Sequence, residues 1–181
     1  MKARPVSKSK KIMKAKPAKA KKKAARKAST PAALPAAKVT SKALAPGCQW
    51  VNAYLTVRDV QAAIDFYQNA FGFVLRLSVP GPEGKLMHAE LMHKDSLVML
   101  GPENPSMGAL APQGQSPVTL YTYVENVDEI ASRASSNGAM LIKPPTDEFW
   151  GDRCAIIVDP HGHSWMFATH VKDVSPEDMH P

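Results

Sequence analysis

Histidines, carboxylates and tyrosines spaced for one face of a strand are the groups in this chain with the types and spacing to do chemistry. His88 and Glu90 stand two apart and therefore share one face of an extended strand. An imidazole beside a carboxylate is the arrangement of a general acid–base pair, and equally of a plain hydrogen-bonded edge pair. His161 and His163 flank Gly162 in the run Asp159-Pro-His-Gly-His. Two histidines need a converging third ligand to hold a metal, and this spacing reads as the tip of a hairpin. Tyr54, Tyr121 and Tyr123 offer an aromatic wall with hydroxyl handles, suited to a small organic ligand or to ordinary filling of a barrel. Trp150 and Arg153 fall where a loop enters a strand, over the expected mouth of a cleft. The Arg153 guanidinium forks onto a ligand carboxylate or phosphate there, or onto Asp152 or Asp159 as a structural bridge. Cys154 reads as a core thiol, since no neighbouring histidine activates it.

The elements that position these residues repeat. Around Trp50 to Val57, apolar Val51, Ala53, Leu55 and Val57 alternate with Asn52, Tyr54 and Thr56, which predicts a strand. Asp59 is an N-cap for a helix whose apolar stripe is Val60, Ala63, Ile64, Tyr67 and Phe71, with Gly72 ending it. Strand-like runs follow at about 73–79, 85–92 and 96–101, and residues 102–116 read as a linker. The pattern then restarts. Leu120 and Val124 alternate with Thr119, Tyr121 and Tyr123; Asn126 caps a second helix, with Glu129 as its capping-box partner; Gly138 ends it. Runs at about 139–145, 153–158 and 163–169 complete the second half. Tyr54 and Tyr121, Val57 and Val124, and Val60 and Val127 each lie 67 residues apart. The prediction is an α+β fold of two βαβββ modules whose sheets curl into a half-open barrel with helices outside. A ferredoxin-like sandwich has fewer strands after each helix.

Tyr54-Leu-Thr-Val-Arg-Asp-Val, with the following Ala-Ile-Asp-Phe-Tyr-Gln-Asn-Ala-Phe-Gly-Phe, resembles the opening strand and helix of the vicinal-oxygen-chelate (glyoxalase/bleomycin-resistance) superfamily. His88-Ala-Glu-Leu, Asp95-Ser-Leu-Val-Met-Leu, Trp150-Gly-Asp-Arg and Val158-Asp-Pro-His-Gly-His-Ser-Trp are similar to its PhnB-like members. The resemblance implies a homodimer with a small-molecule ligand in the cleft between modules. It also implies four inward-facing metal-ligand positions, which fall here on Asn52, Met99, Thr119 and Met166. Asn and Thr are poor ligands alone, and thioethers do not suit Zn²⁺, Ni²⁺ or Fe²⁺. We therefore expect no metal and no cofactor. The expected ligand-binding residues are Asn52, Tyr54, Met99, Thr119, Tyr121, Tyr123, Trp150, Arg153 and Met166. If the protein is an enzyme, a lyase or isomerase working by acid–base chemistry, the residues to test are His88, Glu90 and Arg153.

Charge divides the chain. Residues 1–46 hold 15 of the 23 lysines and arginines and none of the 16 acidic residues. The remainder has 8 basic against 16 acidic residues, a net of −8. The first stretch is Lys/Ala/Pro-rich and predicts a disordered arm over 1–46, ahead of a domain over 47–175 and a short tail over 176–181. Residues 2–42 read as a nonspecific contact for nucleic acid or as a solubilising tail without a partner; without an aromatic residue they have nothing for base stacking. Two cysteines make no disulfide framework and no run is apolar enough to span a membrane, so a cytoplasmic protein is expected, with association to the nucleoid as the alternative.

Overall fold

The computed structural model describes residues 43–114 and 116–180. The arm expected over 1–46 therefore lies, up to residue 42, outside the described residues. The described chain is an α+β fold of two βαβββ modules. In the first, β1 (Ala53–Val57) leads into α1 (Val60–Phe66), which continues as a π-helical turn over Tyr67–Phe71. Strands β2 (Val74–Pro80), β3 (Leu86–His93) and β4 (Ser96–Pro102) follow. The second module runs β5 (Thr119–Tyr123), α2 (Val127–Ser136), β6 (Met140–Asp147), β7 (Asp152–Val158) and β8 (Ser164–His170).

The strand orders are β1-β4-β3-β2 and β5-β8-β7-β6. In each sheet the first strand lies parallel to the last, and the remaining pairs are antiparallel. The helix caps form as their sequences dictate. Asp59 accepts from Ala62 N at 3.0 Å and Asn126 from Glu129 N at 3.1 Å. Glu129 does not complete the capping box. Its carboxylate pairs with Arg133 one turn on at 3.1 Å, the favoured order for an acid–base pair on a helix.

Strand β1 begins later than the alternation suggests. Asn52 folds back on Gln49, accepting its N–H at 2.9 Å and donating to its carbonyl at 2.6 Å. This local turn competes with the ladder. Val51, expected in the core, is left 86% exposed.

Leu55, Val57, Leu91, Leu100, Ala155, Ile157, Trp165 and Phe167 point from the two sheets toward the helices and share one core with Ile64, Tyr67, Phe71, Val127 and Ile130. Its centre is aromatic: Phe71 meets Phe167 at 4.7 Å and Trp165 at 5.2 Å in edge-to-face contact. Beside it lies Asp159, only 4% exposed. One Asp159 oxygen accepts from the Tyr67 hydroxyl at 2.6 Å and the Trp165 indole at 2.9 Å. The other accepts from the backbone N–H of His161 and His163, both at 2.9 Å. Burial and the adjacent carboxylate push the Tyr67 phenol far above its ordinary range, so it stays a donor.

The two histidines expected at a hairpin tip do lie in the β7–β8 turn, but they are buried there because the turn packs on the first module. Gly162 adopts φ +94°, and a side chain there would press on the Pro112 carbonyl. The modules also clasp each other reciprocally. His163 Nε2 donates to the Thr56 carbonyl of β1 at 2.8 Å, and His93 Nε2 donates to the Tyr123 carbonyl of β5 at 2.8 Å. Each edge strand thus has a carbonyl capped by an imidazole of the other module.

Removing the Asp159 carboxylate strips the acceptor from four buried donors. Asp159→Ala is expected to cost about 3 kcal/mol or more, and Tyr67→Phe only about 1 kcal/mol, since three donors still satisfy the carboxylate. Urea unfolding of both variants measures this; an Asp159→Ala loss below about 1 kcal/mol contradicts the role given to it.

Candidate functional site

Alternation along the strands gives each sheet a second face, turned away from the helices. Tyr54, Glu90, Met99, Tyr121 and Met166, singled out in the sequence, stand on it. On the first sheet Tyr54, Met99, Glu90 and Leu77 form one cross-strand row. On the second, Tyr121, Met166, Ile156 and Lys143 form the matching row. Tyr54 and Met99 stand side by side as Tyr121 and Met166 do, at the same 67-residue offset. Both faces are open: Tyr54 is 57% and Tyr121 45% exposed.

On the first sheet the Tyr54 ring stacks on His88, centroids 5.9 Å apart. It lies directly over Gly101, where any side chain would collide with its hydroxyl. His88 Nε2 approaches Glu90 at 3.5 Å, and Arg76 holds the same carboxylate at 3.3 Å. The expected His88–Glu90 pair therefore exists, with an arginine that sequence spacing did not reveal.

The second sheet is built around a carboxylate that the sequence reading considered only as a partner for Arg153. Asp152 is 3% exposed. One oxygen accepts from the Tyr121 hydroxyl at 2.7 Å and the Tyr123 hydroxyl at 2.9 Å; the other accepts from His170 Nδ1 at 2.9 Å. Burial pushes the Asp152 carboxyl up, but the bonds from Tyr121, His170 and Tyr123 outweigh it and leave it below the usual carboxylate range. The phenols are driven the other way. Tyr121 is raised by burial and by its bonds to Cys154 and Asp152, and Tyr123 chiefly by its bond to Asp152. Cys154, raised by burial, is no nucleophile at neutral pH. The Trp150 indole donates to the Tyr121 hydroxyl at 3.4 Å.

Arg153 stands on the opposite face of β7 from Asp152 and Cys154, as a period of two requires. Its guanidinium makes two bonds to Asp128 of α2, at 2.8 and 2.9 Å, and one to Asp147 at 2.8 Å. Those two carboxylates, Asp128 first, hold it above even the ordinary arginine range. It is a strut between sheet and helix, not the ligand fork over a cleft mouth, and its partners are neither Asp152 nor Asp159.

The four inferred metal positions do not converge into a donor set. The Asn52 amide is spent on Gln49. The Thr119 hydroxyl bonds that of Ser164 at 3.1 Å. Met99 and Met166 bring only thioethers, and they lie on different sheets. Among the described residues no group of three His, Cys, Asp or Glu side chains is placed to hold an ion. A hard or borderline divalent metal does not fit these positions.

Two cavities touch the tyrosines. One of about 460 Å³ lies at the seam between modules, against Ala53, His93, Leu120, Tyr121 and Tyr123. Another of about 290 Å³ runs from Tyr54 past Val118 to His163. Neither brings the Tyr54–His88–Glu90 group together with the Tyr121–Asp152–Trp150 group. Among the described residues no helix is long and apolar enough to cross a membrane.

Comparison with known proteins gives a consistent result. The family model of the Glyoxalase/Bleomycin resistance protein/Dioxygenase superfamily matches residues 48–167. An uncharacterized protein of Mycobacterium bovis is 37% identical over 134 residues, covering 71% of this chain and 88% of that protein. The crystal structure of TioX from Micromonospora sp. ML1 superposes with a TM-score of 0.55 at 28% identity, covering 67% of this chain and 99% of that one. FosX, a fosfomycin resistance protein of Listeria monocytogenes solved with Mn(II) and sulfate, superposes at 0.53 with 16% identity, covering 72% and 95%; that likeness speaks for the fold.

His170 links Asp152 to Asp173, and those two carboxylates raise its pKa. A raised histidine stabilises the fold fully below its unfolded value of about 6.5, and the gain is lost as pH rises through the folded value. Asp152, being lowered, acts in the opposite sense and loses its contribution only in acid. His170→Gln keeps a side-chain donor without the charge. Its melting temperature should fall further below that of the parent at about pH 5.5 than at about pH 9; an equal deficit at both contradicts the charged pairing.

Proposed function

This chain belongs to the Glyoxalase/Bleomycin resistance protein/Dioxygenase superfamily, and from that premise we propose that it is a small-molecule-binding protein that works without a metal, its ligand held against the open faces of its sheets. The observation that carries this reading is the use made of Asn52, Met99, Thr119 and Met166. Two are committed to hydrogen bonds within the protein and two are thioethers, while the tyrosines beside them stand open. An aromatic, mostly apolar surface with a few fixed polar groups is how proteins take up small organic ligands.

The protein acts as a homodimer in this proposal. Tyr54, Leu77, Tyr121 and Met140 leave too much apolar surface on the open faces for a monomer to carry without purpose. Pairing the first sheet of one copy with the second sheet of another forms a cleft that either copy alone lacks. We assign the chain to the PhnB-like subgroup on its Trp150-Gly-Asp-Arg and Asp159-Pro-His-Gly-His segments, and we place it in the cytoplasm. Elemental analysis of the purified protein is expected to find no stoichiometric Zn, Ni, Fe or Mn. About one equivalent per chain, with ligand binding lost on chelation, overturns the metal-free reading.

The charge division favours a second, separate role. Residues 2–42 carry 15 basic and no acidic side chains, and the rest of the chain is net negative. In this role the segment attracts nucleic acid without regard to sequence, as a nucleoid-associated protein does. Each phosphate neutralised contributes about −0.9 to the log–log salt slope, so partial engagement of the segment gives a slope of roughly −4 to −8 on duplex DNA. A variant starting at Gly47 should not bind. Comparable binding by that variant, or a tenfold preference for one DNA sequence, assigns the contact to the folded modules instead.

A further inference from the structure

We propose that the corner of the second sheet formed by Tyr121, Tyr123, Trp150 and Asp152 is the seat for a positively charged group on an aromatic ligand; this rests on the open faces being the ligand surface. The hydrogen bonds set the polarity of the corner. Both phenol protons are given to Asp152, at 2.7 and 2.9 Å. The Tyr123 oxygen therefore turns lone pairs, not a proton, toward a ligand, while the Tyr121 oxygen takes the Trp150 indole N–H at 3.4 Å. The Asp152 carboxylate is buried beneath them with both oxygens satisfied, so its charge acts through the rings and hydroxyls rather than by direct contact.

The rings add to this. Tyr121 and Tyr123 meet edge to face at 5.4 Å and 61°, and Phe149 and Trp150 at 4.9 Å and 87°. Ring faces are electron-rich and attract cations. Tyr123 is 56% and Phe149 42% exposed, so a ligand can reach them.

Among the described residues, the basic side chains on the strands of this sheet are all paired with carboxylates. The basic side chains of β6 and β7 are Lys143 and Arg153. Lys143 pairs with Glu148, and Arg153 is held by Asp128 and Asp147 on the far face. His170 lies between Asp152 and Asp173, and Lys94, which lines the seam cavity with Tyr121 and Tyr123, pairs with Glu125. The wider field agrees: residues 118–181 hold ten acidic and four basic side chains. A negative surround raises the local concentration of cations and repels anions.

The test uses the full chain and three probes built on one ring system: 1-naphthylmethylammonium, 1-naphthylmethanol and 1-naphthoate. Binding is followed by NMR at the indole N–H of Trp150, assigned with Trp150→Phe, so that naphthoate attracted to the basic N-terminal residues does not register. The ammonium is expected to bind about tenfold more tightly than the alcohol, with the carboxylate weakest. Asp152→Asn should bring ammonium and alcohol to near parity. Because that residue is buried, exposed Tyr123 provides the second variant: Tyr123→Leu should weaken the ammonium about tenfold and the alcohol little, while Tyr123→Phe, which keeps the ring, should retain most of the affinity. If the alcohol binds as tightly as the ammonium, the charge preference is wrong while the ligand surface stands. If no probe shifts the indole signal, the ligand surface fails as well.

Discussion

Asp159 is buried between the two modules, and a buried carboxylate is tolerable only where every lone pair it turns inward meets a donor. Here the donors come from three places: a tyrosine on the first helix, a tryptophan on the last strand, and the backbone of the turn between them. Satisfying them at once fixes the first helix relative to the last hairpin. The aromatic cluster around Phe71, Trp165 and Phe167 then packs against that junction, and His163 reaches β1 from the same turn. The orientation of the two sheets, and hence of their open faces, follows from this one carboxylate.

With the modules so placed, strand alternation sorts every remaining residue. Odd-numbered positions on β7, such as Ala155 and Ile157, enter the shared core; even-numbered ones, Asp152 and Cys154, join Tyr121 on the open face. The second module thus contains two acidic centres with different duties. Asp159 binds module to module, and Asp152 sets the direction of two phenol protons at the surface. The first module has its own polar centre, in which Glu90 gathers Arg76 and His88 under the Tyr54 ring. Two sheets of one repeated pattern therefore have unlike faces, one with an arginine–carboxylate–histidine set and one with phenols over a buried acid.

Much of this architecture was legible in the residues. The alternations at 53–57 and 119–123, the caps at Asp59 and Asn126, and the ends at Gly72 and Gly138 rest on local geometry, and local geometry is what a sequence carries. The open-face tyrosines and methionines were also legible, because a period of two and a 67-residue repeat locate them. Three things were not. The β1 start was hidden by the Asn52–Gln49 turn, a side-chain competition invisible to alternation. The face of Arg153 was not legible either, because only the cross-strand register puts its neighbours Asp152 and Cys154 on the face of the tyrosines. Asp152 itself went unrecognised because its partners Tyr121, Tyr123 and His170 lie 18 to 31 residues away, on two other strands. A charged pair, Asp152-Arg153, opening an otherwise apolar strand was the one available sign.

In the proposed function the open faces bind a small organic molecule in the absence of metal. Native mass spectrometry of the freshly purified full chain weighs protein, ligand and ion together. A dimer mass is expected, any additional mass being that of an organic molecule and not of a divalent metal. A monomer mass, or a species carrying close to one divalent metal per chain, contradicts it.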